Sequence, residues 1–308
     1  MVRRGIAMTR KIHIRITIGD KIFDLINMIF LTFCLLVVFL PLLNIVSQSF
    51  SDPPSVLAGK VIFLPVKPTL ASYERIISNS VIISGFANSV LISVLGTLLS
   101  VSLTIMAAYP LARNTLVGRN AIMWYFVFTM LFNGGLIPTY LVVRSLGMID
   151  KYAALIIPNA LSVWNIVIAR TFFINTIPNE LYEAATIDGS SDIRTFIQIA
   201  LPVSKPILAV MTLFYAVGIW NSYFDSMIYL KSQEKYPLQL VLRNILISSQ
   251  LQSQIIESSG GADQSQSLAI AEALKYAVIV FSSLPLMILY PFIQKYFVQG
   301  IMIGAIKG

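Results

Sequence analysis

Four carboxylates, Glu180, Glu183, Asp188 and Asp192, stand against a single Arg194 ahead of Lys205 in the run IPNELYEAATIDGSSDIRTFIQIALPVSKP, residues 177–206. A helix lying on an anionic inner leaflet carries Lys and Arg on its polar face, so an acidic face suits a basic protein surface better. A second group, Trp220, Asn221, Tyr223 and Asp225, falls within six residues of a long apolar stretch. Aromatic rings beside amides and a carboxylate suit a sugar, whose flat apolar face stacks while its hydroxyls hydrogen-bond. In one continuous helix Asn221 and Asp225, four apart, share a face, with Trp220 and Tyr223 beside it. Asn133, ahead of Gly134 and Gly135, and Asn159 and Asn165, flanking Trp164, add polar groups to other apolar stretches. Blander roles stay open: Asn in a span often bonds only a neighbouring helix, and Trp and Tyr also mark membrane interfaces. A carboxylate at the bilayer centre costs about 2.5–3.5 kcal/mol, which makes Asp225 the hardest of these to explain by packing alone.

Other chemistry finds little support. The one histidine, His13, lies in a basic tail with no cysteine near it, so no metal site is expected. The one cysteine, Cys34, lies in an apolar run and leaves no partner for an intrachain disulfide. No G-x-x-x-x-G-K-[ST] run occurs; Gly59-Lys60 is followed by Val61. The loop that cradles ATP phosphates is therefore missing, and energy must arrive from another chain. Nor is there a chain of buried Asp, Glu and His of the kind that moves protons. No catalytic residue is expected.

The elements that position these groups follow from composition. Of 308 residues 56% are hydrophobic and 12% charged, against about 25% charged in soluble domains. Uncharged stretches long enough to cross a bilayer fall at 25–50, 82–109 (within 76–112), 120–143, 152–169, 206–224 and 276–294. The spacing predicts an all-α integral membrane protein with six transmembrane helices. The first stretch exceeds a signal-peptide core and is expected to remain as a helix. The net charge of +8 does not indicate nucleic acid, because Arg3, Arg4, Arg10, Lys11, Arg15 and Lys21 crowd directly before that stretch. Such flanking charge fixes orientation and predicts both termini, 111–119 and 170–205 in the cytoplasm. The chain thus divides into a basic cytoplasmic segment, 1–24, and a membrane domain, 25–308. A Pro-rich loop, 51–75, and a polar loop, 231–275, lie outside. The polar loop suits either a flexible linker or an ordered platform.

The acidic run carries its own helix signals. Pro178 suits a first turn, with Glu180 and Glu183 at the positive helix end. Leu181, Ala184, Ala185 and Ile187 can form an apolar face, and Gly189 a stop. Ser190 or Ser191 can cap a second short helix, with Ile193, Phe196, Ile197 and Leu201 on its apolar side and Pro202 and Pro206 ending it. The small residues Gly85, Ser89, Ser93, Gly96, Ser100 and Ala107 suggest close helix packing in the second span.

Glu183-Ala184-Ala185, three residues, Gly189, nine residues, Ile199, one residue and Leu201-Pro202 resemble the EAA loop of ABC importer permeases at every fixed position and both spacings. The resemblance extends from about residue 20 to the end. It looks closest to the carbohydrate-importing branch, the MalG-like subunits and the oligosaccharide permeases of the LplC and YtcP kind. GIWNSYFDSMIYL, residues 218–230, and the glycine-rich tail YFVQGIMIGAIKG resemble that branch. The resemblance implies a coupling-helix loop, 176–204, between the fourth and fifth spans, with Glu183, Ala184, Ala185, Gly189, Ile199, Leu201 and Pro202 serving ATPase coupling. It implies partners: a second homologous permease, two ATP-binding subunits and an extracytoplasmic solute-binding protein in a bacterial cell membrane. No cofactor is expected on this chain; ATP and Mg belong to the partner ATPases. Asn133, Trp220, Asn221, Tyr223 and Asp225 are the expected solute-path residues. An importer of the same architecture for a peptide or amino acid, or an ion-coupled secondary transporter, stands as the alternative.

Overall fold

The computed structural model describes residues 17–259 and 262–305, with side-chain environments given for 17–251, 266–292 and 294. His13, most of the basic N-terminal cluster and the end of the glycine-rich tail lie outside the described residues. Every regular element among the described residues is helical. In chain order they are α1 (Ile18–Ser49), α2 (Pro53–Leu57), α3 (Ala71–Ser78), α4 (Ser80–Ala112), α5 (Arg119–Leu131), α6 (Leu136–Ser145), α7 (Ala153–Ile156) and α8 (Val163–Thr176). Then come α9 (Asn179–Ile187), α10 (Asp192–Thr195), a π-turn (Phe196–Ala200), α11 (Leu201–Val203), α12 (Lys205–Asn221) and α13 (Phe224–Tyr229). A short 3-10 turn (Gln233–Lys235), α14 (Leu238–Ser259) and α15 (Ala262–Ala305) complete the described chain.

Among the described residues three helices are long and apolar enough to cross a membrane: α1, α4 and the Gln266–Phe292 part of α15. Two bent pairs reach the same standard when each is taken as one span, α5 with α6 at 110° and Asp192–Val203 with α12 at 79°. The first bend has a local cause. Gly135 adopts φ 87°, open to glycine and strained for other residues, and the Asn133 side chain accepts the Gly135 N–H at 2.9 Å. Pro202, with no N–H and a ring that crowds the carbonyl four residues back, follows the π-turn, and Ser204 closes the second bend.

The fourth expected span, 152–169, is not one helix. It breaks after Ile156 around Pro158 and restarts at Val163, where Ser162 accepts the Asn165 N–H at 3.5 Å. The loop expected at 231–275 is largely helical, being taken up by α14 and the start of α15.

The central helix is α4. Its second half packs Ile105, Ala108, Tyr109 and Leu111 against Ile166, Ala169 and Phe173 of α8 and Ile207, Met211 and Tyr215 of α12. Its first half meets Leu238, Val241 and Leu242 of α14 and Ala277 and Val278 of α15. Small residues permit these approaches. A Cβ on Gly96 would meet Ile219 Cδ1 at 2.8 Å, and one on Gly85 would meet Val241 Cγ2 at 3.1 Å. By contrast, most of α1 exposes apolar side chains on all sides, as a helix in lipid or against another subunit must. Only its C-terminal end is tied down: Asn44 Nδ2 donates to the Ile62 carbonyl at 2.6 Å and Ser47 Oγ to that of Phe63 at 2.7 Å.

Candidate functional site

The break between α7 and α8 opens a cavity of about 310 Å³ against α4, α12 and the turn before α13. Ser89 and Ser93 of α4, Asn159, Ser162 and Asn165 at the break, and Ser222, Asp225 and Ser226 supply its polar lining. Ile92, Leu155, Phe214, Tyr215 and Ile219 supply the apolar walls. The volume sits at the lower end of the usual range for small-molecule sites. Asn159 Nδ2 donates to Asp225 Oδ2 at 2.8 Å, and Ser222 Oγ approaches the same oxygen at 3.5 Å. The Ser162 N–H donates to the Tyr215 hydroxyl at 3.1 Å, and that hydroxyl bonds Thr104 Oγ1 at 2.7 Å. These two bonds therefore fix the start of α8 to α12 and α4. Hydroxyls and amides between apolar walls can hold a polyhydroxylated solute without covalent chemistry.

Of the five expected solute-path residues, the structure brings Asp225 to this cavity. Trp220, 4% exposed, is packed between α4, α14 and α15, with its indole Nε1 donating to the Ser282 carbonyl at 3.0 Å. Asn133 sits exposed at the α5–α6 bend. Tyr223 is half exposed, with the Arg243 guanidinium 5.7 Å from its ring centroid. Asn221 is exposed and ends α12, so no continuous helix carries it and Asp225 on a shared face. Ser222 and Ser226 carried no distinguishing pattern in sequence, and Ser89 and Ser93 looked like packing residues. Asn159 and Asn165 were visible as polar interruptions and do meet at the cavity.

The acidic run forms a separate, compact unit. Helix α9 ends in a Schellman motif: Gly189 N–H donates to Thr186 O at 3.0 Å and Ser190 N–H to Ala185 O at 2.9 Å, with Gly189 at φ 71°. Ser191 then caps α10, its Oγ accepting the Arg194 N–H at 3.3 Å. Tyr182 and Ala185 face the core, where Tyr182 joins the cluster around Tyr109, and burial pushes its hydroxyl pKa up. Leu201 packs half-buried against the same cluster and Ile199 is half-buried. Glu183, Ala184, Ile187, Asp188 and Pro202 are exposed, Ile187 at 86%. Leu181, Ala184 and Ile187, expected on the buried apolar side, thus face outward beside the carboxylates. The buried side is set by Tyr182, whose ring Arg113 covers at 3.8 Å. Arg113 is the first residue beyond α4, and nothing in its sequence neighbourhood marks it.

The sequence pattern of the family described as binding-protein-dependent transport system inner membrane component matches residues 100–303. The chain belongs to this family. The match takes in the second half of α4, the acidic run and α12. Among relatives in the family, the polygalacturonan/rhamnogalacturonan transport system permease protein YtcP of Bacillus subtilis is 40% identical over 94% of this chain and 99% of its own. Protein LplC of the same organism is 40% identical over 95% of this chain and 97% of its own. The crystal structure of a bacterial ABC transporter that imports the acidic polysaccharide alginate contains a chain with TM-score 0.80 and 31% identity. That likeness covers 91% of this chain and 98% of the other. The family is one of inner membrane components, in accord with the apolar helices α1, α4 and α15.

Proposed function

We propose that this chain is one permease subunit of an ATP-driven bacterial importer for a sugar or oligosaccharide. The observation that carries this reading is the compact helix pair α9–α10, built by its own caps and presenting Glu183, Ile187 and Asp188 outward. An exposed surface that is part acidic and part apolar fits docking against another protein better than a lipid face. The names of two relatives, a polygalacturonan/rhamnogalacturonan transport permease and a transporter involved in import of the polysaccharide alginate, support a carbohydrate solute.

In this reading 25–308 is a permease domain of six spans: α1, α4 and α15, with the α5–α6 pair, α8 and α12 making up the number. Residues 1–24 and 176–204 lie in the cytoplasm with both termini, and 231–275 lies outside. Glu183, Ala184, Ala185, Gly189, Ile199, Leu201 and Pro202 form the ATPase contact and its frame. A second, homologous permease pairs with this one, two ATPase subunits bind beneath, and a solute-binding protein delivers the sugar. ATP and Mg bind, and ATP is hydrolysed, on those ATPases; this chain brings no cofactor and no covalent step. What it contributes is a solute path, including Asp225 and Asn159, whose access alternates as the coupling helices move.

The test is uptake in cells lacking this chain. Uptake of an oligosaccharide pool is expected to fall while that of a control peptide stays, and the native chain is expected to restore it. Selective loss of peptide or amino-acid uptake would give the chain a different solute.

A further inference from the structure

Arg113 sits where the helix that lines the cavity meets both helices of the acidic run. It is the C-cap of α4, its N–H donating to Pro110 O at 3.0 Å. Its guanidinium carbon lies 3.8 Å from the ring centroid of Tyr182 on α9. Its Nη2 lies 3.7 Å from Asp192 Oδ1 in the first turn of α10. The Arg113 side chain is 13% exposed and that of Asp192 89% exposed, so the cation is enclosed while the carboxylate reaches it from solvent. Tyr109, one turn earlier on α4, packs its ring against Tyr182 and Phe196 with centroids 6.2 and 4.8 Å away. Further along the same helix, Ser89 and Ser93 line the cavity. At about 1.5 Å per residue they lie roughly 30–36 Å from Arg113.

We infer that Arg113 is a positioning residue for transport, which locks α9 and α10 in one attitude to α4. Displacement of the coupling helices then reaches the cavity wall as movement of a rigid rod. The inference rests on the reading of 176–204 as the ATPase contact. Arg suits the task because its planar group stacks on an aromatic face while its edge pairs a carboxylate; the compact ammonium of Lys cannot do both. The stack, enclosed and partly desolvated, is the stronger half, since an exposed ion pair contributes little. An apolar residue here would leave the two short helices free to pivot on the tip of α4.

The test uses the complete importer, with both permeases, its ATPases and its binding protein, in proteoliposomes, and reads ATP hydrolysed per solute imported. Arg113→Gln and Tyr182→Leu are expected to raise that ratio, by about 2- to 30-fold, the span of effects seen for residues linking two coupled sites. Tyr182→Phe, which keeps the ring face, should stay near the native ratio, and Arg113→Lys should fall between. A purely structural role would lower the yield of complex and leave the ratio of the surviving complex unchanged, which would overturn the inference. Should Arg113→Gln fail to assemble, Tyr182→Leu set against Tyr182→Phe decides, since only the first removes the ring face under the guanidinium; a native ratio in Tyr182→Leu would overturn it as well. A native complex that imports without ATP would contradict the functional reading itself. A coupled native complex with unaffected variants would contradict only the role of Arg113.

Discussion

Asn159 and Asp225, 66 positions apart, are joined by a hydrogen bond of 2.8 Å at the mouth of the polar cavity. One stands in the break before α8 and the other in the first turn of α13, so the bond exists only because neither flanking stretch continues as a straight helix. Each residue can exchange part of this bond for one to a solute hydroxyl.

Asn159→Ala and Asp225→Ala are therefore expected to lower uptake while the complex still assembles and hydrolyses ATP. A hydrogen bond of about 0.5–1.5 kcal/mol corresponds to roughly 2- to 13-fold. Because the two groups are partners, the double variant should lose less than the sum of the single losses. Initial uptake rates in proteoliposomes decide; strict additivity would mean that the bond plays no part in handling solute.

The coupling unit should respond differently. No atom lies within 4 Å of a Cβ placed on Gly189, so the constraint there is the backbone at φ 71°, not space. Gly189→Ala should thus cost about 1–2 kcal/mol of local strain and loosen the α9 cap. Gly189→Asp adds a charge to that strain, and Glu183→Lys reverses the exposed surface. Both are expected to leave the protein in the membrane and abolish ATP-dependent uptake. Normal uptake in both would remove the coupling assignment.

On the opposite side of the functional reading, Asp150 fastens the start of α7 to the segment before α14. Its carboxylate pairs with Lys235 Nζ at 2.8 Å and accepts from the Ser232 hydroxyl at 2.6 Å, with the Ser232 and Lys231 N–H groups each at 3.0 Å. Lys235 first, then Ser232 and the two N–H groups, hold its pKa well below the ordinary 3.8. A carboxyl with a lowered folded pKa contributes stability that is complete above its unfolded value and is lost as pH falls toward the folded one. Asp150→Asn, which tolerates the observed φ of 59°, should lower the unfolding temperature of the solubilised protein at neutral pH. The gap to the native protein should narrow as pH is taken from about 5 to about 3. A gap independent of pH would show that the charge of the Asp150 carboxylate contributes nothing to the clasp.

Orientation can be read by thiol labelling. With Cys34 replaced, Ser191→Cys and Lys231→Cys, both at exposed positions, should react oppositely with a membrane-impermeant reagent applied to intact cells. Only Lys231→Cys is expected to react. Labelling of Ser191→Cys from outside would invert the topology.

What could be read from sequence was what local chemistry decides. Pro178, Gly189 and Ser191 mark the ends of α9 and α10 because caps depend on neighbours a few positions away. Asn133-Gly134-Gly135 marked the first bend for the same reason. The break at 157–162 was legible only in part: Pro158 and Asn159 interrupt the apolar stretch, but such a stretch reads equally well as a kinked or a broken helix. The roles of Trp220 and Arg113 were hidden too. Trp220 is in the core because α14 and α15 close over it, and Arg113 matters because α9 returns to cover α4. Both depend on contacts between residues far apart in sequence, which periodicity does not encode. Ser89, Ser93, Ser222 and Ser226 converge on one cavity for that reason as well.

The most direct measurement places the purified importer in proteoliposomes with ATP and the loaded binding protein on known sides. Sugar is expected to accumulate only when ATP faces the 176–204 side and the binding protein faces the other, with hydrolysis stimulated by the loaded binding protein. Accumulation driven by an ion gradient in the absence of ATP, or with ATP and the binding protein on the same side, would contradict it.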